Sequence, residues 1–186
     1  LKSIWDDQSL KPDEIVIVED GPLNDKLRFV IDEFSSKAPV KSIKIKKNKG
    51  LGNALNEGLK KCSNKIVARM DADDISKPTR FFNQINIFKN NQHLDLVGSF
   101  IDEFHLLTSN VISVRKVPEL HHSCVKNLKY SCPFNHPSVM FKKQAVLEAG
   151  GYIDFFLKED LYLWLRMYHK NSRFYNIQES LLFFRV

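Results

Sequence analysis

The sequence predicts an α/β fold in which helices flank a mostly parallel central sheet. Apolar segments of strand length alternate with segments whose apolar residues recur at helical spacing. Such alternation is typical of parallel sheets, because parallel strands need a crossover connection between them. Acidic residues directly follow two of the predicted strands, and 186 residues suffice for one domain with a substantial core. A binding crevice is therefore expected at the carboxyl ends of the strands.

The first half of the chain contains three predicted strands, at residues 14–18, 40–45 and 65–70. A helix is predicted between each successive pair, and a third helix after the last strand, because apolar residues recur on one helical face. The residues of these faces are Leu27, Val30, Ile31 and Phe34, then Leu51, Leu55, Gly58, Leu59 and Cys62, then Phe81, Ile85 and Phe88. Ser76 and Pro78 resemble a helix start, so the third helix is expected to begin near them.

The second half of the chain is less regular, and its elements are expected to complete the acceptor side of the crevice. In order, they are extended segments at 94–104 (broken at Gly98) and 111–117, a helix at 121–130, a strand at 138–141, a helix at 143–149 ended by Gly150 and Gly151, a helix through Leu161, Trp164, Leu165 and Tyr168, and strands at 174–177 and 180–186.

The amino end begins inside a predicted helix, since Leu1, Ile4 and Trp5 fall on one helical face. An alternating fold should have a strand before this helix, and none is present. We therefore expect residues 1–186 to form a single domain that is truncated at its amino end, and also at its carboxyl end, where 181–186 is an apolar run. The missing strand predicts a vacant slot in the central sheet, or a neighbouring chain that fills it.

Composition restricts the classes of partner. The chain carries 28 basic and 22 acidic residues, a net charge of +6, and five lysines lie between residues 41 and 49. A basic surface favours anionic partners such as nucleic acid, anionic lipid or a phosphorylated substrate, although these lysines also suit the solvated face of a strand. No apolar run reaches transmembrane length, and no signal peptide is visible.

The three cysteines, Cys62, Cys124 and Cys132, are irregularly spaced and do not indicate a disulfide framework. They fit a reducing compartment, which predicts a cytoplasmic location. Histidines lie near two of them in the sequence, but no close ligand pair of the zinc-finger type is present, so a zinc site is not favoured.

The acidic segment Asp71-Ala72-Asp73-Asp74 directly follows a predicted buried strand. Three carboxylates so close repel one another, and a shared cation relieves that repulsion. Oxygen ligands suit Mg²⁺ or Mn²⁺, which commonly bridge to the phosphates of a substrate, so the segment predicts a metal–diphosphate site. The alternative is that Asp74 only caps the next helix. An EF-hand is excluded, because Ser76 and Phe82 stand where its Gly and closing Glu are required.

Two further segments have candidate chemistry. The loop Asn48-Lys49-Gly50-Leu51-Gly52 opens a helix and can approach a nucleotide closely. It is not a dinucleotide-binding loop, because Leu55 stands where that motif needs its third Gly. Glu159-Asp160 precedes an apolar-striped helix that also carries Arg166, and could supply either a general base or the acidic residues common at helix N-termini.

Together these segments resemble the family-2 glycosyltransferases of the GT-A fold. The segments that carry the resemblance, in the family's order, are Val18-Glu19-Asp20-Gly21; Asn48-Lys49-Gly50-Leu51 with Ala54-Leu55-Asn56; Asp71-Ala72-Asp73-Asp74 with Pro78 and Arg80; and Gly150-Gly151-Tyr152 with Glu159-Asp160-Leu161. Asn135-His136-Pro137-Ser138-Val139-Met140 and Leu163-Trp164-Leu165-Arg166 are similar to a bacterial subgroup that makes O-antigen and exopolysaccharide repeat units, with amylovoran-type and β-1,3-galactosyltransferase-like members. The family's opening strand, with its nucleotide-contacting loop, has no counterpart.

The resemblance implies roles for the matching residues. Asp20 is expected at the nucleotide base, Asp71 at the ribose, diphosphate and metal, and Asp73 as the direct ligand of Mn²⁺ or Mg²⁺. Gly50 is expected against the nucleotide-sugar. The resemblance places His136 between the donor sugar and the acceptor, and makes Asp160 the catalytic base. It leaves open whether Arg166 is structural or holds the diphosphate.

The implied function is metal-dependent, inverting transfer of a hexose from a nucleotide-diphospho-sugar, expected to be a UDP-sugar. The acceptor is expected to be a saccharide or a lipid-linked saccharide used in surface polysaccharide synthesis. The basic surface suits peripheral association with the cytoplasmic membrane face. Two alternatives remain: a nucleotidyltransferase, although its basic Gly-rich loop near the amino end is not seen, and a basic nucleic-acid-binding module, although no RNP-like or helix-turn-helix pattern is found.

Overall fold

The computed structural model describes residues 1–155 and 157–186. Its strands are β1 (Ile15–Asp20), β2 (Val40–Ile45), β3 (Ile66–Ala68), β4 (Ile75–Ser76), β5 (Leu96–Phe104), β6 (Val111–Arg115), β7 (Met140–Lys142) and β8 (Phe174–Arg185). Its helices are α1 (Asp25–Ser35), α2 (Leu51–Lys61), α3 (Arg80–Asn90), α4 (His121–Asn127), α5 (Lys143–Glu148) and α6 (Glu159–His169). The predicted alternation of strands and helices is therefore confirmed.

The strands form two sheets, and the larger one is mixed instead of mostly parallel. β1 and β2 pair in parallel, and so do β5 and β8. The second sheet has the order β3-β7-β5-β8-β4, with β6 also on β5, and its other pairs are antiparallel. The loop between β5 and β6 is only six residues long (105–110), and so short a connection can join only antiparallel neighbours. The alternation in the sequence does not reveal these reversals.

A groove separates the two sheets, and the free edges of β1 and β3 face it. Within the described residues, β1 pairs only with β2, and β3 pairs only with β7. The groove has a volume of about 870 Å³ and is lined by both strands, including Val16, Val18 and Val67. The predicted gap in the sheet is therefore present.

Several elements differ from the sequence predictions, most clearly at three places. The predicted helix at the amino end is a single 3-10 turn, Lys2–Ile4. β5 continues through Gly98. Glycine is required there because Asn176 of β8 packs against it, and a Cβ would overlap the Oδ1 of that side chain. The two predicted final strands are one long strand, β8, with register shifts against β5 that absorb the irregularity.

The main core lies between the larger sheet and helices α4, α5 and α6. Trp164 of α6 is fully buried, and its indole meets the Phe134 ring edge to face, with the centroids 5.5 Å apart. Phe134 in turn packs against Phe174 of β8 at 5.2 Å. Burial of these aromatic rings, worth several kcal/mol in total, fixes α6 and the loop before β7 against the sheet. This packing determines where the second half of the candidate site lies.

Helix α1 is an exception to the burial pattern that its sequence predicts. Phe34 is buried, but Leu27 and Val30 of the same stripe are about half exposed, at 52% and 49%. Asn24 caps the helix, since its Oδ1 accepts the N–H of Leu27 at 2.9 Å. The N-terminal cap and the burial of Phe34 near the carboxyl end therefore stabilise this helix more than a continuous apolar face does.

Glu14 ties the start of β1 to β2 and to the loop before β3. Its carboxylate accepts the Nζ of Lys41 at 2.6 Å and the backbone N–H groups of Ser63 and Asn64 at 2.5 and 3.1 Å. Partial burial opposes ionisation, but these hydrogen bonds prevail and lower the pKa of Glu14 to about 2. The ionised form therefore stabilises the fold.

Glu14→Gln is expected to lower the free energy of unfolding by about 1–2 kcal/mol at pH 7, because it removes charge-assisted hydrogen bonds that are partly screened by solvent. A lowered pKa contributes stability that is complete above the unfolded-state value of 4.5 and is lost as the pH falls through about 2. In urea titrations, the difference in the free energy of unfolding between wild type and variant should therefore stay constant from pH 7 to about pH 5 and narrow as the pH falls from 4.5 toward about 2. Glu57→Gln, which breaks an exposed pair with Lys60, is the matched control; equal effects would contradict the assignment.

Candidate functional site

Asp20 and Gly50 meet at the carboxyl end of β1. The Oδ1 of Asp20 accepts the backbone N–H of Lys49 at 3.0 Å. Gly50 follows at φ +87°, a conformation that favours glycine, and its N–H bonds to the Oδ1 of Asn48 at 3.0 Å. Helix α2 begins at the next residue, so the first free N–H groups of that helix open beside Asp20. The structure thus brings together two of the predicted nucleotide-binding residues.

Asp71 lies at the end of β3 and is paired with an arginine that the sequence analysis missed. Arg69 donates from Nη1 and Nη2 to the two carboxylate oxygens of Asp71 at 2.8 and 2.5 Å. The Arg69 side chain is only 5% exposed, whereas Asp71 is 33% exposed. A planar guanidinium matches a carboxylate in this way and fixes its orientation. Arg69 stands two residues before Asp71, and that spacing along a strand was the available signal.

Asp73 and Asp74 face opposite environments. Asp73 is exposed, whereas Asp74 is buried and its Oδ1 accepts the N–H of Arg185 at 3.0 Å. Burial raises the pKa of Asp74 to about 6, against the Arg185 hydrogen bond, with smaller contributions from the charges of Asp71 and Asp73. Asp74 therefore ties the acidic loop, residues 71–74, to the end of β8. It does not cap the next helix, because α3 begins at Arg80, six residues later.

Ser76 and Arg80 are buried residues that follow the acidic loop in the sequence, and Arg80 holds the chain just before the loop. Ser76 belongs to β4 and is buried, so it does not begin a helix as predicted. Arg80 is fully buried and donates from Nη2 to the carbonyl of Arg69 at 2.7 Å and from Nε to Gln84 at 3.1 Å. Burial lowers the pKa of Arg80 to about 9, and the charge of Arg69 acts in the same direction. Arg80 thereby anchors the strand end from which the loop departs.

His136 and Tyr152 form a buried pair behind the loop. The Nε2 of His136 lies 3.0 Å from the Tyr152 hydroxyl. Burial lowers the pKa of His136 well below its usual value, assisted by the charge of Arg69, so the imidazole is neutral at pH 7. Asn56 of α2 fixes Tyr152 by accepting its N–H at 2.8 Å and donating to its carbonyl at 2.6 Å. These bonds explain why Asn56 and the Gly150-Gly151-Tyr152 segment belong to one pattern in the sequence.

Asp160 lies in the first turn of α6, the helix whose Trp164 packs against His136 with the ring centroids 5.9 Å apart. Its Oδ1 accepts the N–H of Leu161 at 2.7 Å, and its Oδ2 accepts the thiol of Cys132 at 3.4 Å. Burial raises the pKa of Tyr152; the charge of Arg69 opposes this rise, and the charges of Asp160, Glu159 and Asp71 add to it. Arg69, the partner of Asp71, lines the same groove as Tyr152. The His136–Tyr152 pair therefore adjoins both α6 and the residue that orients Asp71.

Arg166 has a structural role in this arrangement. Its guanidinium donates to the carbonyls of Ala149 and Gly151, the latter at 2.7 Å, at the end of α5. It also stacks over Tyr162 at 4.7 Å. Carbonyls left free at a helix end favour a cation there.

The donor set fits a cation that shares its ligands with a substrate. No group of three His, Cys, Asp or Glu residues within residues 1–155 and 157–186 forms a complete metal site, of zinc type or otherwise. Asp73 nevertheless presents an exposed carboxylate beside Asp71. Mg²⁺ and Mn²⁺ are usually held by one or two carboxylates plus substrate phosphates. In the described part of the chain, no helix is long and apolar enough to cross a membrane.

Comparison with known proteins identifies related sequences. The family model described as Glycosyl transferase family 2 matches residues 1–151. A Haemophilus influenzae protein named as an uncharacterized glycosyltransferase is 39% identical over 179 residues, 96% of this chain and 66% of that protein. The Escherichia coli UDP-Gal:alpha-D-GlcNAc-diphosphoundecaprenol beta-1,3-galactosyltransferase is 36% identical over 182 residues, 98% of this chain and 66% of that enzyme. The chain thus spans just under two thirds of these relatives.

Solved structures share the fold at low sequence identity. Staphylococcus aureus TarS 1-349 in complex with UDP-GlcNAc superposes with a TM-score of 0.76 at 15% identity, covering 97% of this chain and 52% of that one. The mannosyltransferase PcManGT from Pyrobaculum calidifontis, in complex with GDP-Man and Mn²⁺, gives 0.70 at 14%, covering 97% and 50%. At these identities the likeness concerns the fold alone.

Proposed function

Since the chain belongs to glycosyl transferase family 2 and has the GT-A fold, we propose that the protein is a metal-dependent, inverting glycosyltransferase. It transfers a hexose from a nucleotide-diphospho-sugar, most simply a UDP-sugar, to a saccharide or lipid-linked saccharide in surface polysaccharide synthesis. The observation that carries this proposal is the placement of the His136–Tyr152 pair, which shares a groove with Arg69, the partner of Asp71, and packs on α6, the helix that begins with Asp160 in its first turn. Transfer with inversion needs two acidic groups with separate tasks, and these lie on different elements.

The first task is to hold the donor. In the proposal Asp20 binds the base, Gly50 lets the α2 N-terminus approach the nucleotide, and Asp71, oriented by Arg69, binds the ribose and diphosphate. Asp73, with Asp71, would hold Mn²⁺ or Mg²⁺, which when bound stabilises the negative charge of the departing diphosphate. His136, neutral and fixed by Tyr152, lies beside the donor sugar as a hydrogen-bonding group.

The second task is to take a proton from the acceptor hydroxyl as it attacks the anomeric carbon. Asp160 performs this as a general base from the face opposite the departing diphosphate. The new glycosidic bond forms as the bond to the diphosphate breaks, and the configuration at that carbon inverts. The proton passes from the hydroxyl to a carboxylate oxygen of Asp160.

The partners follow from the relatives and from the charge. The E. coli relative is named for a UDP-sugar donor and a diphosphoundecaprenol-linked acceptor, and we propose the same classes for this protein. The lysines of β2 and of the loop after it, with the net charge of +6, suit an anionic surface. We therefore propose a cytoplasmic enzyme that associates peripherally with the membrane, and we do not propose nucleic acid as a partner.

The groove between β1 and β3 supports a proposal about domain organisation. Residues 1–186 belong to one catalytic domain, and its sheet is completed by a further strand in that groove. The support is the pair of free strand edges and the apolar side chains between them.

The proposal is tested by thermal shift of the full-length protein against UDP-, GDP- and dTDP-sugars, nucleoside triphosphates and an oligonucleotide, each with and without Mn²⁺. We expect a UDP-sugar to raise the melting temperature only when Mn²⁺ is present, because mass action stabilises the folded state that binds. A shift with nucleoside triphosphates alone would favour a nucleotidyltransferase instead. A shift with oligonucleotide alone would favour a nucleic-acid-binding module.

A further inference from the structure

The loop that connects α4 to β7 approaches the start of α6 at one polar contact. Cys132 in this loop lies with its Sγ 3.4 Å from the Oδ2 of Asp160. The next residues hold the loop in place: Phe134 packs edge to face on Trp164, one turn after Asp160 on the same helix. The distance between the thiol and the carboxylate is thus fixed by core packing.

The thiol has a second acceptor, the carbonyl of Phe134, at 3.3 Å. A carboxylate is the stronger acceptor of the two, because charge-assisted hydrogen bonds are stronger than neutral ones. Burial and the charge of Asp160 raise the pKa of the Cys132 thiol to about 12, so it keeps its proton. Cys132 therefore acts as a donor at neutral pH.

With this contact, each of the two carboxylate oxygens of Asp160 has a hydrogen-bond donor. Oδ1 is held by the N–H of Leu161, and Oδ2 by the thiol. Each carboxylate oxygen has two lone pairs, so one on Oδ2 remains free for the proton of an acceptor hydroxyl. Two donors from two different elements fix the direction of that lone pair.

We propose that Cys132 is a positioning residue for the general base: its thiol orients Asp160 toward the acceptor hydroxyl. This inference rests on the role of Asp160 in the proposed function. It assigns to Cys132 neither metal binding nor nucleophilic chemistry. The matched control is Cys124, whose buried thiol donates to the carbonyl of Pro118, away from Asp160.

The kinetic test compares Cys132→Ala, Cys132→Ser and Cys124→Ala at saturating donor and Mn²⁺. Cys132→Ala should lower kcat about tenfold, the effect of one hydrogen bond to a charged group, with donor affinity unchanged. Cys132→Ser keeps a donor at the same place and should retain most of the turnover, as should Cys124→Ala. In an Asp160→Asn background, Cys132→Ala should have no further effect. Equal loss in the Ala and Ser variants, or an additive loss in that background, would overturn the proposal.

A spectroscopic test does not depend on turnover. The S–H stretching band of Cys132 is identified in the infrared spectrum by its loss in Cys132→Ala or, if that variant does not fold, in Cys132→Ser. It should shift to higher frequency in Asp160→Asn, because the thiol then loses a charged acceptor. A band that stays in place would refute the contact. A shifted band would confirm the hydrogen bond between Cys132 and Asp160 even if no donor sugar binds. In that case the proposed function would be wrong, although the contact would be correct.

Discussion

Asp73→Asn is expected to weaken Mn²⁺-dependent binding of a UDP-sugar by at least about 100-fold, since even second-shell changes at metal sites cost 10–100-fold. The exposed carboxylate of Asp73 is free to face a cation and a diphosphate, and the amide that replaces it carries no charge. Isothermal titration of the full-length variant, with and without Mn²⁺, measures the change. Without Mn²⁺, the UDP-sugar should bind wild type and variant only weakly, and the difference between them should vanish.

Asp74→Asn is the control, because the two positions are adjacent and differ in environment. Asp74 is buried and bonds to the Arg185 N–H at 3.0 Å, so its replacement acts on the junction between the acidic loop and β8. We expect a change in melting temperature with donor affinity within a few fold of wild type. If the two variants weaken Mn²⁺-dependent binding equally, Asp73 is not the direct ligand.

The order and type of most elements could be predicted, because each rests on local signals. The apolar stripe of α2 and the glycine pair after α5 are two such signals. The reversals within the sheet could not be predicted, since strand direction depends on which distant segments pair. Gly98 of β5 shows this best: what requires a glycine there is the side chain of Asn176, 78 residues later, and not a break in the strand.

For the candidate site, the sequence indicates which residues to propose but not the contacts that they make. The sequence indicates Asp71 and Asp160 because acidic residues at strand and helix ends are conspicuous. It does not indicate Arg69 or Cys132, since an arginine in a strand and a cysteine in a loop are usually core or surface residues. Their partners become apparent only when β3, α6 and the loop before β7 are brought together by packing.

Because the proposed site is divided between two halves of the chain, variants in the two halves should impair different steps. The residues proposed to bind the donor lie on β1, the start of α2 and the acidic loop, whereas Asp160, the proposed base, lies on α6. A change on one side should therefore affect one kinetic constant and leave the other nearly intact. Asp73 and Asp160 are the residues where this separation should be greatest.

Asp160→Asn is expected to leave donor and Mn²⁺ affinity nearly unchanged while turnover collapses. General-base assistance is typically worth about 10²–10⁴-fold, so kcat should fall by at least about 100-fold. The amide cannot take the acceptor proton, yet it can still accept the N–H of Leu161, so α6 should begin at the same residue. The measurement is kcat with a saturating UDP-sugar and acceptor, together with donor affinity by titration.

Glu159→Gln is the matched control, because Glu159 is the other acidic residue in the first turn of α6. If both residues only complement the positive end of the helix, each replacement should cost about 0.3–1 kcal/mol of stability and leave turnover largely intact. If Asp160 is the base, only Asp160→Asn should lose turnover, and the melting temperatures of the two variants should stay close. Similar kinetics for both variants would remove Asp160 from the reaction and leave the acidic pair as a feature of the helix end.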